Sequence, residues 1–317
     1  MKRSMILVVG VAAMLAVCNI ASADQFWGSA SVPWGNAGPV LFKLDTSTGT
    51  VGTTYTYSAW SWIMDVEYAP GNILYAVHNN TGTAADLYNF KMAKINATTG
   101  AVLSDTLVAS FSATDYPQWN ALEYYDGKIY AVENSTAASY HATAYPDWDG
   151  SANGNRGYVY QVDLDGSGDP TSVTLGAYIG GYPAPDGALA YRDGTWYASD
   201  WRTDHSSWIA QTTDIMNTNF TESVSTSPVG LFDGWDFEAD GDMLGVSWWA
   251  NTGTPSDDFN VYKINPATGS ATALFNIQSQ LPSGIESLSG LTTPEPATLA
   301  LMALGGVGMI LRRKRRK

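Results

Sequence analysis

Cysteine is almost absent: the 317 residues contain one, Cys18, within the first 23. A disulfide framework and a cysteine nucleophile are therefore excluded from the body of the chain. Histidine is nearly as scarce. His78, His141 and His205 stand far apart with no short His-x-x-His or Glu-x-x-His spacing, so each reads as a lone polar loop residue rather than a metal ligand. Positive charge is the third shortage. Residues 24–293 hold eight Lys and Arg against 29 Asp and Glu, a net charge of about −21. A body so acidic repels a phosphate backbone, which excludes nucleic acid as a partner. No Gly-x-Ser-x-Gly elbow, phosphate loop or dinucleotide fingerprint occurs. What the chain does have is 45% hydrophobic and 12% aromatic residues, enough for a real core and too much for a disordered polymer.

The two ends carry addresses. Lys2 and Arg3 precede an apolar run from Met5 to Val17, and Ala21-Ser22-Ala23 forms a small-x-small cleavage site. Residues 1–23 read as a secretory signal peptide, with cleavage after Ala23. A lipidated Cys18 is disfavoured because Val17, not a small residue, precedes it. At the other end, Pro294-Glu295-Pro296 is followed by the apolar stretch 297–311 and by Arg312-Arg313-Lys314-Arg315-Arg316-Lys317. The stretch is expected to be a hydrophobic, membrane-spanning helix with its basic cluster on the cytoplasmic side, although it is short of the roughly 20 residues of a full span. In order and spacing, residues 294–317 resemble the PEP-CTERM sorting signal of Gram-negative bacteria. The resemblance implies export through the inner membrane and recognition by an exosortase, a membrane transpeptidase that acts at the Pro-Glu-Pro site. Release or attachment at the cell surface or extracellular matrix would follow, and the signal accompanies exopolysaccharide production. An ordinary C-terminal anchor is the alternative, with the same topology.

Between the ends, 24–293, two hairpin types alternate. One has an apolar strand, a tight Gly turn and a second strand, with turns at Pro70-Gly71, Asp126-Gly127, Asp193-Gly194 and Asp240-Gly241. The other reads strand, Thr/Ser-Gly turn, strand, as in Lys94-Ile95-Asn96-Ala97-Thr98-Thr99-Gly100 and Lys263-Ile264-Asn265-Pro266-Ala267-Thr268-Gly269. Pairing the two types makes four-stranded units of about 54 residues, the signature of a β-propeller. One unit is split. Residues 284–290 look like an inner strand without its partner, and residues 25–30 like a partner without its inner strand. The predicted fold is all-β: a five-bladed propeller of four-stranded antiparallel blades, closed by pairing of the N- and C-terminal strands. It resembles secreted bacterial propellers with a Lys-Ile-Asn-x-x-Thr-Gly turn. A flat β-sandwich with long loops is the competing arrangement.

Loop lengths predict two unlike faces. The short Gly turns share one; long irregular connections crowd the other, where recognition residues usually sit. Trp62, Trp119 and Trp235 precede inner strands, Asp186 takes the same place in a fourth blade, and Trp148, Trp201 and Trp249 fall in or beside long loops. Flat rings among Asp and Asn groups suit sugars; wedging of blades is the other role for the three inner-strand tryptophans. Asp163, Asp165 and Asp169 alternate with flexible residues like the start of a calcium loop, against an ordinary hairpin turn. Calcium is the sole cofactor the sequence suggests. Glu67, Glu123, Glu238 and Glu286 are placed at one recurring strand position. These observations favour a surface-directed, non-catalytic propeller binding extracellular polysaccharide or matrix components. The alternatives are a glycoside hydrolase or lyase using Asp65, Asp186 or Asp236 in the central funnel, and a purely structural matrix protein.

Overall fold

The computed structural model describes residues 25–31, 38–80, 89–110, 118–134, 157–179, 188–201, 207–227, 232–238, 240–247, 259–285 and 287–293. They form twenty strands in five separate four-stranded antiparallel sheets. The first sheet joins β1 (Gln25–Ser31), β2 (Val40–Asp45) and β3 (Thr50–Thr56) to the final strand, β20 (Ser287–Thr292). The second runs β4 (Trp60–Ala69), β5 (Ile73–Asn80), β6 (Asn89–Asn96), β7 (Val102–Ser110). The third runs β8 (Gln118–Tyr125), β9 (Lys128–Asn134), β10 (Gly157–Leu164), β11 (Pro170–Ile179). The fourth is β12 (Leu189–Arg192), β13 (Thr195–Trp201), β14 (Ser207–Thr212), β15 (Thr221–Thr226). The fifth is β16 (Gly234–Phe237), β17 (Met243–Val246), β18 (Asn260–Ile264), β19 (Ala271–Asn276). The fold is a five-bladed propeller. Ser29 pairs with Gly290 and Trp27 with Thr292, so the chain ends close the first blade together. Five sheets without a shared strand exclude the sandwich.

Burial follows the radius. Every residue of β20 is buried, whereas the outer strands β3 and β19 are mostly exposed. Five apolar clusters fill the space between blades, one to each interface. Between the first two blades, Trp27 and Leu41 meet Ile63, Val66, Leu74 and Ile95. The closing interface packs Phe26, Phe42, Leu288 and Leu291 on Leu244, Val246 and Val261. Each fully buried Leu or Ile contributes about 1.5–3 kcal/mol, so stability resides in a ring of five equivalent contacts. A ring only half closed would leave two such faces in water.

The Thr/Ser-Gly turns recur because one side chain heads each of them. In all five blades an Asp or Asn oxygen accepts the backbone N–H groups just downstream: Asp45 from Ser47, Asn96 from Thr98, Asp165 from Ser167, Asp214 from Met216 and Asn265 from Ala267, at 2.7 to 3.2 Å. These Asx turns replace backbone partners that the reversal removes. The weakest sequence copy, 209–220, has the same device at Asp214. The inner hairpins at Asp126-Gly127 and Asp193-Gly194 have positive φ at both residues (51° and 79°, 50° and 85°), the two-residue turn whose twist matches that of its strands.

Candidate functional site

Strand register aligns the blades along the axis. Thr292, Glu67, Glu123, Ala190 and Asp236 pair with Trp27, Tyr75, Tyr130, Tyr197 and Leu244, which in turn pair with Lys43, Lys94, Gln161, Gln211 and Lys263. One inner-strand position therefore holds three carboxylates, a threonine and an alanine. This corrects the expected set. Asp236, not Glu238, matches Glu67 and Glu123, because five residues rather than two or three connect β16 to β17. Glu238 sits in that connection, where its amide bonds Asp242 and its carboxylate meets Lys263 at 2.9 Å. Thr292 takes the place assigned to Glu286, which lies outside the described residues.

The axial carboxylates join neighbouring inner strands. Asp65 Oδ1 accepts from Val66 N at 2.7 Å, and its Oδ2 accepts from Leu122 N of the next blade at 2.6 Å. Glu67 Oε2 accepts from Thr292 Oγ1 at 2.8 Å, and that oxygen accepts from Tyr68 N at 3.1 Å. Asp236 Oδ2 accepts from both N and Oγ1 of Thr293 at 2.6 Å. Burial pushes Asp65 and Glu67 well above the usual carboxylate range, and the negative charge of Asp236 pushes the same way on both. At this depth the strands also touch. A Cβ on Gly290 would lie 2.2 Å from Asp65 Oδ1, and one on Gly234 would lie 2.6 Å from the Cα of Gly290. Asp65, with both oxygens engaged and no room beside it, lacks the opening that a hydrolytic acid needs. Asp186 lies outside the described residues.

The inner-strand tryptophans divide. Trp119 is fully buried and packs 5.3 Å from Tyr160; Trp235 is 2% exposed and lies 5.9 Å from Phe232. Both lie in the apolar clusters between blades, the wedging role that the sequence offers as the other reading. Trp62 stays half-buried where β4 begins, paired with Asn79 beside the 81–88 connection. Trp201 ends β13 opposite Ser207. Trp148 and Trp249 lie outside the described residues, as do His141, His205, Ala23, Pro294, Glu295 and Pro296.

Two features of this end of the molecule had not been anticipated. Trp60 stacks between Tyr57 at 4.2 Å and His78 at 3.8 Å, and His78 Nε2 lies 2.9 Å from Asp105 Oδ1. His78 is thus a buried strand residue of β5, not a loop residue, and its hydrogen bond holds the Asp105 carboxyl below the usual range. Trp208, half-buried in the first turn of chain after 202–206, stands in β14 opposite Asp200. Its position directly after a long connection is the signal that would have found it.

Residues 163–169 span the hairpin turn between β10 and β11. Asp165 heads its Asx turn, accepting from Ser167 N and Asp169 N at 2.7 and 2.9 Å. Asp163 is held by Gln161 and Ser172, and Asp169 by Ser104 with Lys94 at 3.7 Å. The three carboxylates diverge to separate partners. Among the described residues no three His, Cys, Asp or Glu side chains come together to hold a metal ion.

Residues 292–316 match the PEP-CTERM protein-sorting motif. The chain carries a PEP-CTERM sorting motif. This implies export and membrane-associated sorting in a Gram-negative bacterium, with processing by an exosortase. Among the described residues no helix is long and apolar enough to cross a membrane; the stretch 297–311 lies outside them. No curated protein matches the chain. Among solved structures it is similar to a putative 6-phosphogluconolactonase from Bacteroides fragilis, at 11% identity and TM-score 0.42, over 87% of this chain and 99% of that one. A periplasmic gluconolactonase of Pseudomonas aeruginosa aligns at 12% identity and TM-score 0.39, over 80% and 67%. A Bacteroides caccae protein of unknown function aligns at 11% and 0.41, over 86% and 99%. Likeness this distant carries no argument about function; the fold stands on the strand pairing.

Proposed function

We propose that the protein is an exported, cell-surface-directed propeller that binds extracellular polysaccharide or matrix components through its long-connection face, without catalysis. The observation that carries this reading is the unlike character of the two ends of the blades. One end is built of hairpin turns of two to eight residues, most of them five or fewer, with axial carboxylates consumed in holding strands together, against connections of five to 22 residues between second and third strands at the other. Half-buried Trp62 and Trp208 stand at the edge of that second end. Half-buried indoles beside amide and carboxylate groups stack on sugar rings while their neighbours bind hydroxyls. By their places in the sequence, Trp148, Trp201, Trp249 and Asp186 are included in the same proposed site. The sorting signal supports delivery to a polysaccharide-rich surface, where the body is either attached or released.

The test is binding of the 24–293 body to a glycan array, with Trp62→Ala and Trp208→Ala beside the unaltered protein. Loss of one stacking contact is expected to weaken binding up to about tenfold while the melting temperature stays within a few degrees. Turnover of a bound glycan, abolished by Asp236→Asn in a folded protein, would replace the binding reading with the hydrolase or lyase one. No binding to any glycan would leave a structural matrix role.

A further inference from the structure

The chain leaves the propeller at its axis, on the short-turn end, with almost no spacer. Strand β20 runs in the same direction as the other inner strands, so its last residue, Thr292, lies at the end where the turns at Pro70-Gly71, Asp126-Gly127, Asp193-Gly194 and Asp240-Gly241 reverse the chain. Thr293 is still part of the wall: it is buried, and its N and Oγ1 both bond Asp236. Only Pro294, Glu295 and Pro296 separate it from the apolar stretch beginning at Ala297. Four residue steps span at most about 14 Å.

We propose that the short-turn end is the membrane-facing surface of the tail-bearing protein, held against a lipid bilayer, and that the long-connection face is thereby pointed away from the cell. This rests on the tail entering the membrane, and it deepens the binding reading by stating where the ligand is met. A tether of at most about 14 Å from the centre of one end cannot let a propeller turn over, because its inner strands are themselves long: the ten residues of β4 span about 30 Å. Charge works against this contact. Asp126, Asp193, Asp240 and Asp242 stand on or beside the inner turns, and Asp240 and Asp242 share the single Lys263. The tether, not attraction to anionic lipid, keeps the surface in place, so cutting the tail frees the domain from the bilayer.

The body has no cysteine, which makes the test clean. In a Cys18→Ser background, Pro70→Cys marks the short-turn end and Ser58→Cys, in the exposed turn before β4, marks the other. The tail-bearing chain carrying one fluorophore is reconstituted into phosphatidylethanolamine–phosphatidylglycerol vesicles containing a spin-labelled headgroup. Over a separation of about 30 Å, quenching at position 70 is expected to exceed that at 58 by at least about threefold. A linker of about twenty Gly and Ser residues after Thr293 should abolish the difference. Equal quenching without the linker, or the reverse order, in protein that floats with the vesicles overturns the orientation alone. Failure to float overturns the membrane entry of the tail and the orientation with it, but leaves the glycan reading intact.

Discussion

Gly290 stands where β20 presses against the inner strand of the next blade. Its missing side chain leaves room for Asp65 Oδ1 and Ser29 Oγ, which a Cβ would meet at 2.2 and 2.7 Å. Gly290→Ala is therefore expected to lower stability by about 1–3 kcal/mol, the usual cost of overpacking, read as a fall in the urea midpoint. The same crowding governs Asp65 and Glu67. Their carboxyls are raised by burial, so the folded state binds their protons more tightly than the unfolded chain does. Their contribution is present in full below the unfolded value, near pH 4, and is lost as pH rises through the folded values. Asp105 runs the other way: its lowered value adds stability above about pH 4 that disappears on further acidification. The melting temperature is expected to be higher at pH 5 than at pH 8. Glu67→Gln, which keeps an oxygen for Thr292 Oγ1, should flatten that slope. A melting temperature independent of pH across this interval would contradict the assignment.

At the scale of elements, the strand that matters most is the last. β20 contributes Leu288 and Leu291 to the closing interface and carries the acceptors and donors that meet Glu67 and Ile63. Its Ser289 Oγ donates to Ile63 O at 2.8 Å, and Ser31 Oγ of the paired β1 donates to the same carbonyl at 3.0 Å. A chain ending at residue 293 keeps all of this, whereas one ending at 286 loses the inner strand and leaves two blade faces unpaired. The first is expected to unfold in one cooperative transition by calorimetry, the second to melt broadly or not fold. Equal cooperativity in the two would mean that the ring does not depend on its clasp. The repeated Asx turns are the opposite kind of element: local, redundant, and separately replaceable at a cost near that of one capping interaction.

For the whole molecule, charge decides which partners are reachable. A body of about −21 with only eight basic residues repels polyanions over a screening distance of about 8 Å at physiological salt. Neutral polysaccharides should therefore co-sediment with the 24–293 body at all salt concentrations, and uronic-acid polymers only at high salt or with added divalent cation. Tight binding of a uronic-acid polymer at low salt without cation would require a basic site that the composition does not supply. The tether acts at the same scale, since it alone offsets this repulsion at the membrane.

Blade number, blade closure and the sorting signal were legible because each is written in short-range pattern. A Gly or Asx turn is a local backbone requirement, and it recurs wherever a four-stranded unit recurs. Pairing of the two chain ends followed from the same arithmetic, since an unpaired half-hairpin at each end has one obvious partner, although the closing strand is Ser287–Thr292 rather than 284–290. The rank of residues around the axis was not legible, because it depends on register. Counting from the turn misassigned Glu238 where the β16–β17 connection is longer, and only the ladder that pairs Asp236 with Leu244 restores it. Nor did chain position tell Trp119 from Trp62. Both lie near the start of an inner strand and touch one apolar cluster, but Trp119 is sealed within it and Trp62 stays half-buried at its margin, and burial is a property of the surroundings. The sequence by itself determined the count, the closure and the sorting motif, through turn chemistry, periodicity and the order of residues at the C-terminal end. Tertiary structure alone decided which carboxylates became struts, which tryptophans became wedges and which end the tail departs from, since these follow from neighbours far apart along the chain.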